Sequence, residues 1–148
     1  MQHDIDDNTS LLLENQLCHA LHHAARSIAR VYKETLREAG LTYPQYLVLI
    51  TLLEGEALSV GDICVRLNLD SGTVTPLLKR MEANGHIARS RARHDERVVV
   101  VKLTESGHGL KGVALRARGE VVRRLEMSDR EILRLKDQLV DVASRLAP

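Results

Sequence analysis

Leu69-Asp70-Ser71-Gly72-Thr73-Val74-Thr75-Pro76-Leu77-Leu78-Lys79-Arg80-Met81-Glu82-Ala83-Asn84-Gly85 is the stretch that decides the fold. Val74, Leu77, Leu78 and Met81 recur at i, i+3, i+4 and i+7, the spacing that gathers side chains on one helical face. That face is expected to pack inward. Asp70 or Ser71 supplies an N-cap oxygen, and Asn84-Gly85 offers the left-handed residue on which helices end. The opposite face holds Ser71, Thr73, Thr75, Pro76, Lys79 and Arg80. Short hydroxyls lead and cations follow, a surface suited to the base edges and phosphates of a DNA major groove.

Working outward, Ser59-Val60-Gly61-Asp62 opens a short segment in which Val60, Ile63, Cys64 and Leu67 repeat at helical spacing. Asn68-Leu69-Asp70 then turns the chain into the Ser71 helix, as in a helix-turn-helix. After Gly85, His86 to Arg93 leads to a polar tip, His94-Asp95-Glu96, and the chain returns through Arg97-Val98-Val99-Val100-Val101-Lys102-Leu103. Valine-rich sequence returning from a charged tip predicts a β-hairpin, the wing of a winged helix. Lys79, Arg80, Arg89, Arg91, Arg93, Arg97 and Lys102 outnumber Asp70, Glu82, Asp95 and Glu96 here, so the stretch is locally basic. A basic hairpin alone is commonly a solvated face; beside a capped, hydroxyl-bearing helix it favours double-stranded DNA as partner.

At 148 residues, 44% apolar and 28% charged, the chain is sized for one globular domain with a real core. Its formal charge of +1 makes no strong overall field, so affinity for nucleic acid must come from local charge. The richest apolar run, Tyr46 to Leu53, is too short to span a membrane, and acids stand near the N-terminus where a signal peptide carries cations. A cytoplasmic protein without membrane contact is expected. Cys18 and Cys64 form neither a disulfide framework nor a zinc-ribbon spacing, and reduced thiols follow.

The fold class expected is mainly α with a small β-hairpin wing: a winged helix-turn-helix over 42–103 with dimerisation helices over 10–40 and 104–148. Met1 to Thr9 is polar and acidic and is expected to fray. One long helix is predicted from Ser10 to Ala39, with Leu17, Leu21, Ala24, Ile28 and Val31 along one face and Gly40 as its stop. Thr42-Tyr43-Pro44-Gln45 is a capping box that opens a helix through Glu54, apolar nearly all round and therefore central. Gly55 to Leu58 reads as a linker. Thr104 caps a helix to about Leu125 with Leu110, Val113, Ala117, Val121 and Leu125 on its stripe, and Ser128-Asp129-Arg130-Glu131 is a second capping box. Behind it Ile132, Leu135, Leu139, Val142 and Leu146 alternate three and four apart. These ends carry more apolar stripe than a small winged helix buries. A twofold homodimer covers the excess and supplies two reading heads for an inverted-repeat operator.

Cys18 and Tyr32 are fourteen residues apart on the first helix, so they point within about 40° of each other yet stand ~21 Å apart along its axis. They cannot meet within one chain. Any meeting needs the partner subunit, where a phenolic hydroxyl suits a thiolate or sulfenate oxygen. Against that, a free cysteine at a helix contact is commonly a small buried hydrophobe, and Cys64, on the apolar stripe of its short helix, fits that description still better. Cys18 and His22 are i, i+4, with His19 and His23 adjacent, which could present two ligands to a metal ion. The remaining ligands are not evident, so neither a metal nor another cofactor is expected.

Four segments resemble the MarR family of winged-helix repressors and, within it, the organic-hydroperoxide-resistance regulators. They are Leu13 to Cys18, Gly40 to Tyr46, Leu69 to Arg80 and Asp95-Glu96-Arg97. The resemblance implies that Cys18 is oxidised by an organic hydroperoxide to a sulfenic acid, after which the repressor leaves its operator. It also implies that Tyr32 and Tyr43 of the partner subunit hydrogen-bond this cysteine, and that Arg97 enters the minor groove braced by Asp95. His22 stands where some members carry a third tyrosine, and its imidazole can still donate a hydrogen bond. Members that resolve the sulfenate as an intersubunit disulfide carry a late second cysteine. None follows Cys64 here, so a small-molecule thiol or over-oxidation is expected to fix the oxidised state.

The expectation is thus a peroxide-sensing repressor, not an enzyme. Three rivals stand beside it: a regulator that binds a phenolic ligand with Cys18 merely structural, a metal-dependent regulator through Cys18 and His22, and a thiol peroxidase.

Overall fold

The computed structural model describes residues 6–148, and Met1 to Ile5 of the expected frayed segment lie outside it. Eight α-helices and three strands are formed by these residues: α1 Asp7–Ser10, α2 Leu17–Leu36, α3 Tyr43–Glu54, β1 Leu58–Ser59, α4 Val60–Leu67, α5 Ser71–Ala83, β2 Ile87–Arg91, β3 Val99–Leu103, α6 Glu105–His108, α7 Lys111–Leu125 and α8 Asp129–Arg145. The architecture is mainly helical with a small antiparallel wing, as expected.

The core forms where α3, α4 and α5 meet the sheet. Val48, Leu49, Ile63, Val74, Leu78, Met81 and Val101 are fully buried there. Helix α3 has no polar face to speak of, so it sits at the centre, opened by the expected capping box between Thr42 and Gln45. Helix α4 is also boxed: Ser59 accepts from the Asp62 N–H at 3.0 Å while the Asp62 carboxylate accepts from the Ser59 N–H at 3.0 Å. It ends on Asn68, whose φ of 52° bends the chain toward α5. A left-handed asparagine satisfies the last carbonyls of the helix at little steric cost.

The sheet has the order β1-β3-β2. Strands β2 and β3 pair from Ile87↔Leu103 to Arg91↔Val99, which is the predicted hairpin. The third strand corrects the expected linker: Leu58↔Val101 and Ser59↔Val100 join the entry of α4 to the wing. Two residues are too few to display an alternating pattern.

Two helix boundaries also differ from expectation. The chain does not run helically from Ser10 to Ala39. Asn15 Nδ2 donates to the Thr9 carbonyl at 2.8 Å, and Gln16 Nε2 donates to Ser10 and Leu12 carbonyls at 2.7 and 3.0 Å. These side chains take the acceptors a continuing helix would use, so α2 starts afresh at Leu17. It closes through a 3-10 turn, Arg37–Ala39, onto Gly40 at φ 67°. Beyond the wing, the helix capped by Thr104 breaks after His108 and resumes at Lys111. A Cβ on Gly107 would collide with the His86 carbonyl oxygen, while Thr104 Oγ1 accepts from the Gly107 N–H and donates to the Gly85 carbonyl. The turn is thereby fastened to the root of the wing.

Helix α7 packs along α2 through the small side chains Ala114, Ala117 and Val121. Arg124 of α7 reaches Glu34 of α2 at 2.8 Å. Helix α8, opened by the expected capping box of Ser128 and Glu131, buries none of its residues. Leu135, Leu139 and Leu146 of its stripe are exposed, as are Leu11, Leu12, Leu13 and Leu17 at the other end. No helix of the described residues is long and apolar enough to cross a membrane.

Candidate functional site

The candidate residues fall into two groups, one on α5 and the wing, the other on α2 and α3. Helix α5 is capped by Asp70, whose Oδ1 accepts from the Thr73 N–H at 2.8 Å and whose Oδ2 accepts from the Thr73 hydroxyl at 3.1 Å. These bonds hold the Asp70 carboxyl below the usual carboxylate range. They also commit the Thr73 hydroxyl proton, leaving that oxygen free to accept. Pro76 sits inside the helix and cannot donate to the Gly72 carbonyl four residues back. A Cβ on Gly72 would lie 3.0 Å from Asp70 Oδ1, so glycine leaves the capping carboxylate its place.

The helix divides as its periodicity predicts. Val74, Leu78 and Met81 are fully buried and Leu77 is half-buried, while Ser71, Thr73, Pro76, Lys79 and Arg80 are exposed and Thr75 is half-buried. Thr75 shares a cleft with Ser59, Gly61, Arg97 and Val99, so the start of α4, the outer face of α5 and the wing converge on one surface.

In the wing, Asp95 Oδ1 accepts from the Arg97 backbone N–H at 3.0 Å. The brace inferred from the Asp-x-Arg motif therefore acts on the main chain. The Arg97 guanidinium stays exposed, with no ion-pair partner among the described residues. Arg89 behaves otherwise. It forks onto Glu82 of α5, with Nε and a terminal nitrogen 2.9 and 2.7 Å from Oε2, while its backbone N–H donates to Oε1 at 3.2 Å. This arginine holds Glu82 below the usual carboxylate range and belongs to an internal clamp, not to the free basic stripe. Charge counting along the sequence misses it; the signal is an acid on the last turn of α5 seven residues before an arginine of β2.

The second group begins with Cys18, exposed in the first turn of α2. Leu17, Cys18 and His19 precede the first intrahelical donor, Ala20, so their N–H groups face outward beside the sulfur. His22 is exposed one turn on, and His19 and His23 stack with ring centroids 6.4 Å apart. No group of three or more potential metal ligands is formed among the described residues. Cys64 is half-buried and packs against the core, the filler role expected of it.

Helix α2 is unbroken from Cys18 to Tyr32, so the ~21 Å spacing holds along its axis. Tyr32 instead meets both tyrosines of α3: its ring centroid lies 5.1 Å from Tyr43 and 4.6 Å from Tyr46. The Tyr46 hydroxyl donates to the Tyr32 oxygen at 3.4 Å. Burial, then the donated bond, pushes the Tyr46 phenol well above the ordinary value, and burial raises Tyr43 as well. Tyr32 and Tyr46 are buried and Tyr43 is half-buried. Sequence reasoning assigned Tyr32 and Tyr43 and passed over Tyr46, although Tyr43 and Tyr46 stand i, i+3 on one face.

A family model described as transcriptional regulator SarA/Rot matches residues 30–112. The organic hydroperoxide resistance transcriptional regulator of Bacillus subtilis is 42% identical over 134 residues, covering 90% of this chain and 91% of the relative. The chain belongs to the SarA/Rot family of transcriptional regulators, within the MarR-type winged-helix proteins. Another relative of this regulator, the HTH-type transcriptional regulator TtmR of Methylorubrum extorquens, is 56% identical over 107 residues. That match covers 72% of this chain and 54% of TtmR, so the chain spans about half of that relative's length. Among solved structures, reduced AbfR bound to DNA is 32% identical with a TM-score of 0.77, over 91% of this chain and 94% of that one. AbfR has also been solved overoxidised on DNA and in a disulfide-formed state. The Staphylococcus epidermidis protein and this MarR-type regulator thus share the DNA-binding architecture.

Proposed function

We propose that this regulator is a homodimeric repressor that senses organic hydroperoxides through Cys18. The observation that carries this reading is an exposed thiol at the start of α2, far from its own phenol cluster, beside leucines that one chain leaves uncovered. Burying one leucine is worth ~1.5–3 kcal/mol, so pairing the exposed stripes of two copies is strongly favourable. A twofold arrangement then brings Cys18 of each subunit to Tyr32 and Tyr43 of the other. Tyr32 already accepts a bond from Tyr46, which leaves its own proton for an outside oxygen.

The chemistry is a two-electron oxidation. The Cys18 thiolate attacks one peroxide oxygen, an S–O bond forms as the O–O bond breaks, and the departing alkoxide takes a proton to leave as an alcohol. The product is a sulfenate. A small-molecule thiol then condenses with the protonated sulfenic acid, releasing water and leaving a mixed disulfide. The added bulk and charge at the interface shift the two reading heads.

Each head reads an operator half-site with Ser71, Thr73, Thr75, Pro76, Lys79 and Arg80 in the major groove. Arg97, its loop shaped by Asp95, reaches the adjacent minor groove. Half-sites are expected ~10 bp apart, centre to centre. His22, one turn from Cys18, faces the same space and donates a hydrogen bond to the oxidised sulfur. The reading is tested by operator binding before and after cumene hydroperoxide, with Cys18→Ser in parallel; a Ser variant that releases DNA as wild type does would refute it.

A further inference from the structure

Arg91 ends β2, and Val99, its partner on the last rung of the hairpin, begins β3. It stands two residues after Arg89, on the same face of the strand, and both arginines line one small hollow with Glu82 and Val99. Arg89 is engaged by Glu82. Arg91 has no ion-pair partner among the described residues. Its Nη1 instead donates to the main-chain carbonyl of Glu96, across the tip of the wing.

The connection from Ala92 to Val98 contains neither glycine nor proline, and no residue in it has a left-handed backbone. Its shape therefore depends on hydrogen bonds. The Ala92 N–H donates to the Val98 carbonyl at 2.8 Å, and the Val98 N–H to the Asp95 carbonyl at 3.0 Å. The other two bonds converge on a single peptide unit. Asp95 Oδ1 takes the N–H of Arg97, and Arg91 takes the carbonyl of Glu96, which is the opposite end of the same amide. A peptide unit is planar, so holding both its oxygen and its N–H fixes the plane and the direction in which the next Cα leaves it. That Cα bears the exposed guanidinium of Arg97. The bond from Arg91 is charge-assisted, a class about twice as strong as neutral ones.

We infer that Arg91 is a positioning residue for operator recognition: it locks the peptide between Glu96 and Arg97 and so aims the Arg97 side chain before DNA arrives. The inference rests on the proposed entry of Arg97 into the minor groove. A loop already ordered in the free protein loses less freedom on binding, which leaves more of the contact energy for affinity. Face by face, β2 then acts as a strut: Arg89 ties it to α5 through Glu82, and Arg91 ties the tip to it. The rival role for an exposed wing cation is a phosphate contact of its own.

The test is a double-variant cycle on the reduced full-length protein: wild type, Arg91→Gln, Arg97→Ala and both together, each checked by circular dichroism. Binding is measured by fluorescence anisotropy on a duplex that wild type selects from a random pool, at several salt concentrations. Arg91→Gln is expected to weaken binding roughly fivefold when Arg97 is present and by less than about twofold when it is absent, as coupled residues do. With Arg97 replaced, the salt slope should not change further, whereas a lost phosphate contact would lower it by ~0.9. Independently of DNA, nitrogen relaxation of the free protein should show the Arg97 and Val98 amides loosened by Arg91→Gln while those of Ala88 and Val101 stay rigid. Equal cost in both backgrounds, a further fall in slope, or tip amides unmoved by the substitution overturns the inference. If Arg97→Ala binds as wild type does, the minor-groove reading fails and the DNA role of Arg91 fails with it; the relaxation result on the free protein tells that failure from a tip that never needed Arg91.

Discussion

The Tyr46 hydroxyl donates to the Tyr32 oxygen at 3.4 Å, joining α3 to α2 at the point where the ring of Tyr43 also packs. One bond thus links the helix that centres the DNA-binding half to the helix that carries Cys18. Replacing Tyr46 by Phe removes the donor and leaves the buried Tyr32 oxygen short of a partner. The loss is expected to be ~1 kcal/mol, the usual worth of such a bond. Urea denaturation of Tyr46→Phe, Tyr32→Phe and the double variant checks it; the double variant should cost less than the sum of the two singles.

Glu82 and Arg89 set the angle between α5 and the wing. Glu82→Gln keeps the shape and loses the charge, so the wing is expected to sample more orientations. Operator affinity should fall by roughly three- to tenfold while overall stability changes little, since a partly exposed pair contributes modestly. Fluorescence anisotropy on an operator duplex measures it. The Arg97→Ala variant, by contrast, should lose affinity with a shallower salt dependence if, as proposed, this exposed cation neutralises a phosphate.

Gly107 lies against the His86 carbonyl with no room for a Cβ. Gly107→Ala must push α6 away from the root of the wing and break the Thr104 bridge to Gly85. A destabilisation of ~2 kcal/mol or more is expected, within the range of overpacked sites. Thermal melting compared with Gly119→Ala, whose Cβ meets nothing, isolates the steric effect.

Hydrogen bonds from Arg123 and Arg124 lower Glu120 from its ordinary 4.5 to about 2 in the folded chain. A carboxyl depressed by folding contributes stability that is complete above the unfolded value and lost as pH falls toward the folded one. The contribution is therefore present above pH 4.5 and disappears between there and about 2. Glu120→Gln should be less stable at neutral pH and show a flatter stability profile below 4.5, read by urea unfolding at several pH values.

Much of the fold was legible because its signals are local. The capping pairs Thr42/Gln45 and Ser128/Glu131, the Asp70 cap and the buried line Val74-Leu78-Met81 each lie within two turns of helix. What escaped depends on partners distant in sequence. β1 exists only because Leu58 meets Val101, and Gly107 is required only because it lies against the His86 carbonyl. The start of α2 turned on Asn15 and Gln16 outcompeting the backbone for carbonyls, a balance that spacing does not reveal. In the thiol group, the helical distance already separated Cys18 from Tyr32 of the same chain, whereas the role of Tyr46 required seeing α3 against α2.

The central claim concerns one sulfur and its oxidation, and operator release measures it most directly. Reduced wild-type protein, Cys18→Ser and Tyr43→Phe are each bound to an operator duplex and exposed to cumene hydroperoxide in the presence of a small thiol. Wild type is expected to dissociate with Cys18 found by mass spectrometry as a mixed disulfide, Tyr43→Phe to respond more slowly, and Cys18→Ser to stay bound. Equal release from Cys18→Ser, or wild type that stays bound while Cys18 is fully oxidised, would contradict it.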